Sequence, residues 1–201
     1  MAITRLGPNQ SVNLASNITG TLPVTNGGIG IASGTTDQFL KFTGTTTLAS
    51  AADNAGKLLQ VVATQINGVV TVSSQSEVTT GITANITPTA SNSKILIFIT
   101  GTFAMSVSRA TTFCGVGLKR TVGGSETNLQ GDGNNDNIAN NVFGASNMQM
   151  QGTYAYSKED SPSTTSEVTY TLKSRIETSG EAIRFNNGGM GSFITLMEIG
   201  T

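Results

Sequence analysis

Short β-prone runs separated by turn signals recur from Leu58 to the end of the chain, and they constrain the fold more than any other feature. In the run Glu167–Ile176, apolar Val168, Tyr170 and Leu172 alternate with polar residues, as in a strand with one buried face. Eight runs with turns at this spacing predict an all-β fold, a jelly-roll-like antiparallel β-sandwich over residues 58–201. The runs are Leu58–Ile66, Val69–Ser73, Thr79–Thr87, Lys94–Ser106, Phe113–Thr121, Asn147–Tyr156, Glu167–Ile176 and Ser192–Ile199.

Three glycine-containing segments predict hairpin turns in this domain: Asn67–Gly68, Gly123–Gly124 and Asn187–Gly189. The run Ile95–Phe103 has apolar residues on both faces near its start, which predicts a central strand or one covered by a neighbouring subunit. Inward-facing residues form an adequate but small predicted core, which oligomerisation would help. That core comprises Leu59, Val61, Val70, Ile82, Ile86, Leu96, Phe98, Val116, Leu118, Tyr154, Leu172, Ile183, Phe185, Ile194 and Leu196.

The first 50 residues differ in composition and in strand pattern from the rest of the chain. Short β-prone pieces such as Phe39–Phe42 are punctuated by Gly and Asn, and no helical stripe is present. A segment this poor in bulky residues cannot bury a core of its own, so we expect it either to be disordered or to become ordered by packing against other copies or a larger protein. We predict an extended Gly-rich N-terminal attachment or stalk segment at residues 1–50, and a short hinge at residues 51–57.

Composition excludes several classes of function. The formal net charge of −1 offers no electrostatic footprint for a phosphate backbone, so nucleic acid is not an expected partner. Histidine is absent, which removes the commonest general base and metal ligand. The single cysteine, Cys114, is expected to be a small buried hydrophobe. No apolar run is long enough for membrane insertion and the N-terminus lacks a signal peptide. A virion component, assembled in the host cytoplasm and released by lysis, fits this combination.

Few residues have the type and spacing of a metal-binding or catalytic site. Asp132, Asn134 and Asp136 have the spacing of a calcium loop, but Asn137 and Phe143 stand where that loop needs Gly and Glu. A solvated polar loop is therefore the better interpretation, and we expect no metal and no cofactor. Glu159, Asp160 and Glu167, or Glu177 and Glu181, could be read as acid pairs for glycoside cleavage. No aromatic platform accompanies them, so we expect no catalytic residues and no enzyme.

The remaining candidates are binding surfaces. Loops on a rigid sandwich are a usual place for recognition. The asparagine-rich loop and the strand near Tyr154 could offer hydrogen-bonding groups to a host-surface glycan or protein, although solvated connections and subunit contacts are equally consistent. The predicted receptor-contact residues are Asn134, Asp136, Asn140, Asn141, Tyr154 and Tyr156.

Two blocks of the sequence resemble bacteriophage fibre proteins. The phrase ITGTLPVTNGGIG, Ile18–Gly30, resembles segments near the starts of tail-fibre and related virion proteins. SKILIFITG (Ser93–Gly101), the segment Tyr156–Arg175 and FITLMEI (Phe193–Ile199) are similar to a β-sandwich domain of fibre-like phage proteins. The resemblance implies a homotrimer whose N-terminal segment attaches to a tail or capsid protein and whose sandwich is a knob. The attachment residues would be Leu22, Pro23, Val24, Asn26, Gly27 and Gly28.

Three functions are compatible with this resemblance. The first is a short tail fibre that attaches to the host surface as a homotrimer. The second is a capsid decoration or head-fibre protein, which suits the short chain without a repeated shaft. The third, a polysaccharide-degrading tailspike, would need paired acids in a cleft, and the strand pattern supplies none.

Overall fold

The computed structural model describes residues 34–36, 38–45, 47–51, 56–108, 114–130 and 148–200. The chain divides into two compact units, Met1–Asp53 and Asn54–Thr201. In the first unit, β1 (Phe39–Phe42) and β2 (Leu48–Ala51) form an antiparallel pair, with Phe39 opposite Ala51. Strand β2 thus runs one residue into the stretch that we predict as a hinge.

The second unit is a β-sandwich of two antiparallel sheets, and the all-β prediction is confirmed. Its strands are β3 (Leu58–Ile66), β4 (Val70–Val72), β5 (Val78–Ile86), β6 (Lys94–Val107), β7 (Cys114–Val122), β8 (Ser125–Asn128), β9 (Met148–Asp160), β10 (Val168–Ile176), β11 (Ala182–Phe185) and β12 (Ser192–Ile199). The larger sheet has the strand order β3-β12-β6-β9, with two short strands, β4 and β11, extending it at one end. The smaller sheet has the order β5-β10-β7-β8. When β3 with β4 and β11 with β12 are each counted as one, the domain has eight main strands. The chain crosses between the sheets at every connection except β7–β8, which is the jelly-roll arrangement.

Two of the three predicted hairpin turns are wrong. Gly123 and Gly124, both with positive φ, do join the paired strands β7 and β8. Asn67–Gly68 instead lies between β3 and β4, which follow one another along the same edge of the larger sheet. Strand β3 pairs with β12 before the interruption, and β4 pairs with β11 after it. The segment Asn187–Gly189 is a 3-10 turn between β11 and β12, which both pair with the same edge of β6. The two interruptions are therefore side by side in one sheet.

The core lies between the sheets, and alternate residues of each strand fill it. Ile95, Ile97 and Ile99 of β6 are fully buried, as are Tyr170 and Leu172 of β10. Val61 and Phe98 were predicted in this core, but they are about half exposed on the outer face of the larger sheet. Their registers explain the difference, because Val61 lies opposite Met197, and Phe98 opposite Thr195, at positions of β12 that face away from the smaller sheet.

A buried ion pair joins the sheets at one edge. The Arg120 guanidinium of β7 donates to both carboxylate oxygens of Asp160 on β9, at 2.8 and 3.0 Å. The Tyr170 hydroxyl of β10 donates to the same carboxylate at 2.7 Å. Gly56 N–H and Gly200 N–H also bond to the Gly200 and Lys57 carbonyls, so the two ends of the sandwich domain meet beside β3. Within the described residues, no helix is long and apolar enough to cross a membrane.

Candidate functional site

The outer faces of the two sheets differ in polarity. On the smaller sheet, the cationic side chains are paired: Lys119 with Glu77 at 2.9 Å, and Lys173 with Glu126 at 2.6 Å. Arg175 pairs with the exposed carboxylate just beyond the end of its strand. The charged groups of this face therefore neutralise one another, although the Lys119 side chain is itself buried beside Glu77.

The outer face of the larger sheet is apolar over the half nearest the start of β3. Leu58 is 48% exposed, Val61 49%, Phe98 42% and Phe193 48%, and we call these four residues the apolar face. Phe193 and Phe98 lie diagonally across the β12–β6 pair, since Phe193 is opposite Thr100 and Thr195 is opposite Phe98. Diagonal positions of this kind are within reach of aromatic side chains, so the two exposed rings are neighbours on this face.

The size of this surface is at the upper end for a monomer. Met190, 62% exposed, adds to it at the end nearest Phe193. With each full side chain near ~200 Å², the five exposed fractions give about 500 Å² of apolar surface, in the upper part of the range for the largest patches on monomers. Patches of this size commonly mark protein–protein contacts.

A buried polar cluster holds the sheet together where its strands are interrupted. Asn186 is fully buried and has a left-handed backbone, with φ near 60°, a conformation that Asn tolerates better than most residues. Its amide nitrogen donates to the Gly68 carbonyl at 2.8 Å, and its amide oxygen accepts from the Ser192 hydroxyl. The Tyr154 hydroxyl bonds to the same serine at 2.6 Å. Between β3 and β4, and between β11 and β12, side chains thus bond to polar groups that the backbone hydrogen bonds of the sheet leave unpaired.

A shallow depression opens on the outer face over this cluster. Its volume is about 550 Å³, and Met190, Phe193, Gln65 and Thr100 contribute to its lining. The depression extends from the apolar face towards the interruption between β11 and β12. The Tyr154 ring beneath packs edge-on against Phe185, with ring centroids 6.0 Å apart. Burial raises the pKa of Tyr154 to about 12, so this hydroxyl stays protonated at neutral pH.

A second, polar depression lies at the other end of the same face. Arg184 of β11 is opposite Ala104 of β6, which is in turn opposite Gln151 of β9. The next row carries Ser106 and Gln149. Small Ala104 therefore forms the floor of a trough between two long polar side chains, with a volume of about 210 Å³. We call this the distal trough, because it is at the end of β6 farthest from Leu58.

Four of the five carboxylates that the sequence suggested for acid pairs are engaged elsewhere. Glu159 pairs with Lys94 at 2.7 Å, and Asp160 with Arg120. Glu177 pairs with Arg175 at 3.1 Å. The buried Glu181 carboxylate accepts from the Ser108 backbone N–H at 2.9 Å and from its hydroxyl at 2.6 Å. An acid pair for glycoside cleavage needs one carboxylate facing a water and another facing the glycosidic oxygen, and these contacts do not provide that arrangement.

Two other potentially reactive side chains, those of Cys114 and Glu198, have structural roles. The Cys114 thiol is buried, and burial raises its pKa to about 11, so a reactive thiolate is not formed at neutral pH. Glu198 is fully buried, which by itself raises a carboxyl pKa, but hydrogen bonds from Gln60 and from both the backbone N–H and the hydroxyl of Thr89 lower it overall. Among the described residues, no three potential metal ligands cluster.

The predicted receptor-contact residues divide into two groups. Tyr154 and Tyr156 lie on the inner side of β9, half-buried against the core, and the outer side of that strand presents Gln149, Gln151 and Thr153. Asn134, Asp136, Asn140 and Asn141 lie outside the described residues, as does the calcium-like spacing from Asp132. The attachment residues Leu22, Pro23, Val24, Asn26, Gly27 and Gly28 also lie outside them.

Comparison with known proteins gives no family. No known family and no curated protein matches the chain. A structure of infectious bursal disease virus, Gx strain, matches with a TM-score of 0.38 at 11% identity, over 78% of this chain and 44% of the other. A crystal structure of the VP2 subviral particle of the same virus gives 0.35 at 10% identity, over 79% and 41%. The chain thus spans less than half the length of these proteins, and the low scores carry no weight for function.

Proposed function

We propose that this chain is a non-enzymatic structural protein of a bacteriophage virion, a short tail fibre that attaches to the host surface as a homotrimer. The resemblance of Ile18–Gly30 to fibre segments supports the phage assignment. The jelly roll supports it more generally, because this architecture recurs in viral capsid and lectin domains. The protein is then part of the virion, assembled in the host cytoplasm and released by lysis.

The apolar face is the observation that carries the homotrimer. About 500 Å² of apolar side chain on one sheet is costly to leave in water, while the opposite sheet carries its own neutralised charges. A stable interface buries roughly 800 Å² per partner, so the polar neighbours Thr195 and Gln65, together with Ala63, join the contact.

A second copy of the chain is the occupant that fits this face best. The formal net charge of −1 means that three copies do not repel one another strongly. Three faces turned towards one axis form a closed assembly, which is the usual outcome for homo-oligomers. The Lys94–Glu159 ion pair then lies at the polar rim of the contact.

The N-terminal segment is the proposed link to the particle. Residues Leu22, Pro23, Val24, Asn26, Gly27 and Gly28 would contact a tail protein, and the jelly roll would be presented outward. A capsid decoration or head-fibre protein is the second candidate, and the frequency of jelly rolls in capsids favours it. In that case the same N-terminal segment contacts the shell. A polysaccharide-degrading tailspike is disfavoured by the engaged carboxylates described above.

The oligomeric mass of the purified full chain tests the homotrimer. We expect about 62 kDa, three times the 20.7 kDa chain, by mass photometry or light scattering. Phe98→Asp combined with Phe193→Asp should give a folded monomer, because each charge would be desolvated in the contact. Asn85→Asp, on the exposed outer side of β5, places a charge on the other sheet and should leave the trimer intact. A monomeric wild-type chain, or a trimer that survives both aspartates, contradicts the proposal.

A further inference from the structure

We infer that the distal trough binds a carboxylate-bearing sugar residue, through the Arg184 guanidinium and the amides of Gln149 and Gln151. This inference deepens the proposed host attachment and rests on it for the source of the ligand. The trough itself is a feature of the sandwich domain alone.

Arg184 is the first part of the case. Its side chain is exposed in the trough, and it forms no hydrogen bond or ion pair with any residue that the structure describes. Its cross-strand neighbours Thr71 and Ala104 are uncharged. The nearest carboxylate in sequence, Glu181, is buried and bonds to Ser108. By contrast, Lys119, Lys173 and Arg175 on the smaller sheet all have carboxylate partners.

The Arg184 guanidinium, which bonds to no described residue, matches the geometry of a carboxylate. Its fixed fork can donate two parallel hydrogen bonds, and such charge-assisted pairs are stronger than neutral ones. The anion that binds here would therefore be small and able to accept two parallel hydrogen bonds, as a carboxylate does.

The remainder of the trough indicates a sugar. Strands β11 and β9 are two positions apart, so Arg184 and Gln151 face each other across about 10 Å, a width suited to one pyranose ring. Gln149 and Gln151 are two residues apart on one strand, about 7 Å, and can bond to hydroxyls at different edges of that ring. Ser106 and Asn187 add further polar groups.

The size and polarity of the trough favour a small polar ligand. Its volume of about 210 Å³ is below the roughly 300–1,000 Å³ of sites for drug-sized molecules, which suits one sugar unit. Its apolar lining is limited to Ala104, Met105 and Ala182, so the apolar side chain of a peptide ligand would find little surface to cover. An acidic peptide is thus a less suitable occupant than an acidic sugar.

The position of the trough suits contact with a host. Lys94, at the start of β6, lies opposite Ile199, beside the entry of the chain into the sandwich. Ala104 is ten residues further along that strand, about 33 Å away. If the N-terminal segment holds the particle, the trough is at the far end of the domain. The apolar face lies between them, so trimer formation need not cover the trough.

Binding of simple glycosides to the full chain tests this inference. The probes are methyl glucuronide, methyl galacturonide and the methyl glycoside of a sialic acid, each compared by titration calorimetry or ligand-observed NMR with its neutral, carboxyl-reduced counterpart. At least one acidic probe should bind about tenfold more tightly than its neutral partner, since charge-assisted hydrogen bonds are the strong ones. If none does so, the inference is wrong.

Two arginine variants make the test specific. Arg184→Gln should remove the preference for the acidic probe, whereas Arg175→Gln, the same change on the smaller sheet, should keep it. Gln151→Ala should weaken binding of the acidic probe without removing its advantage over the neutral one. Equal behaviour of the two arginine variants would overturn the inference. The oligomeric mass of the same samples separates the two proposals, because a trimer without sugar binding rejects only the trough, and a monomer rejects the homotrimer.

Discussion

Replacing Gly101 with alanine perturbs the point where β6 passes beneath Tyr154 and Ser192. An added Cβ would collide with the Ser192 hydroxyl and the Tyr154 hydroxyl, and would lie 2.7 Å from Tyr154 Cζ. The Tyr154–Ser192 hydrogen bond would then break or the strands would separate. Overpacking of this kind costs roughly 1–3 kcal/mol, and a lost buried hydrogen bond about 1 more. We therefore expect Gly101→Ala to lower the free energy of unfolding by about 2–4 kcal/mol.

Gly68→Ala is the matched control. It lies in the same interrupted region, but no atom is within 4 Å of an added Cβ. Its effect should be within about 0.5–1 kcal/mol of zero. Urea unfolding at one fixed protein concentration measures both variants, because the stability of an oligomer depends on concentration. Thermal midpoints should fall by roughly 5–15 °C for Gly101→Ala. Equal stabilities for the two variants would refute the assignment of the polar cluster as the element that holds the interrupted sheet together.

Three further perturbations test other parts of the structure. Asp160→Asn should lower the free energy of unfolding by about 3 kcal/mol, because it leaves the Arg120 guanidinium without its buried partner. Glu159→Gln, at the exposed ion pair next to it, should lower it by under ~1 kcal/mol in the same urea assay. Equal losses would contradict the link between the sheets. Because the pKa of Glu198 is lowered on folding, its contribution to stability is present above the unfolded pKa of 4.5 and is lost as pH falls through the folded value. The variant Glu198→Gln should therefore be less stable at neutral pH, and its stability should depend less steeply on pH during acid unfolding. An unchanged profile would reject this role. Cys114 should react with a thiol reagent at pH 8 only after unfolding, since burial raises its pKa to about 11, and rapid labelling of the native protein would contradict its burial.

Much of the fold follows from the sequence. Alternation identified the main strands, and the ends of Leu58–Ile66 and Ser192–Ile199 agree with the structure to the residue. Strands β8 and β11 were not predicted, because four residues are too few to show a period. The turn predicted at Asn187–Gly189 was wrong because positive φ, as at Gly188 and Gly189, occurs in an interrupted strand as well as in a hairpin. The turn predicted at Asn67–Gly68 was wrong because these residues join two successive strands of one sheet edge, and neither has a positive φ.

The candidate surfaces were harder to predict. The apolar character of Ile95–Phe103 on both faces predicted a central strand or one covered by a neighbouring subunit. Strand β6 is central in its sheet, but assigning Phe98 outward required the register with β12. The distal trough combines β11, β6 and β9, which are far apart in sequence, so no local pattern shows it. Thr153, Ala155 and Ser157 alternate with Tyr154 and Tyr156, and this pattern could have indicated that the tyrosines face inward.

Electron cryo-microscopy of the phage particle proposed to carry this chain tests the central claim most directly. We expect threefold density at the tail, with the jelly rolls pointing away from it and the outer faces of the larger sheets, including Phe98 and Phe193, turned towards the threefold axis. Density on the capsid shell would contradict the tail-fibre assignment and favour a decoration or head-fibre protein. Density for isolated single copies, with the apolar face open to solvent, would contradict the homotrimer.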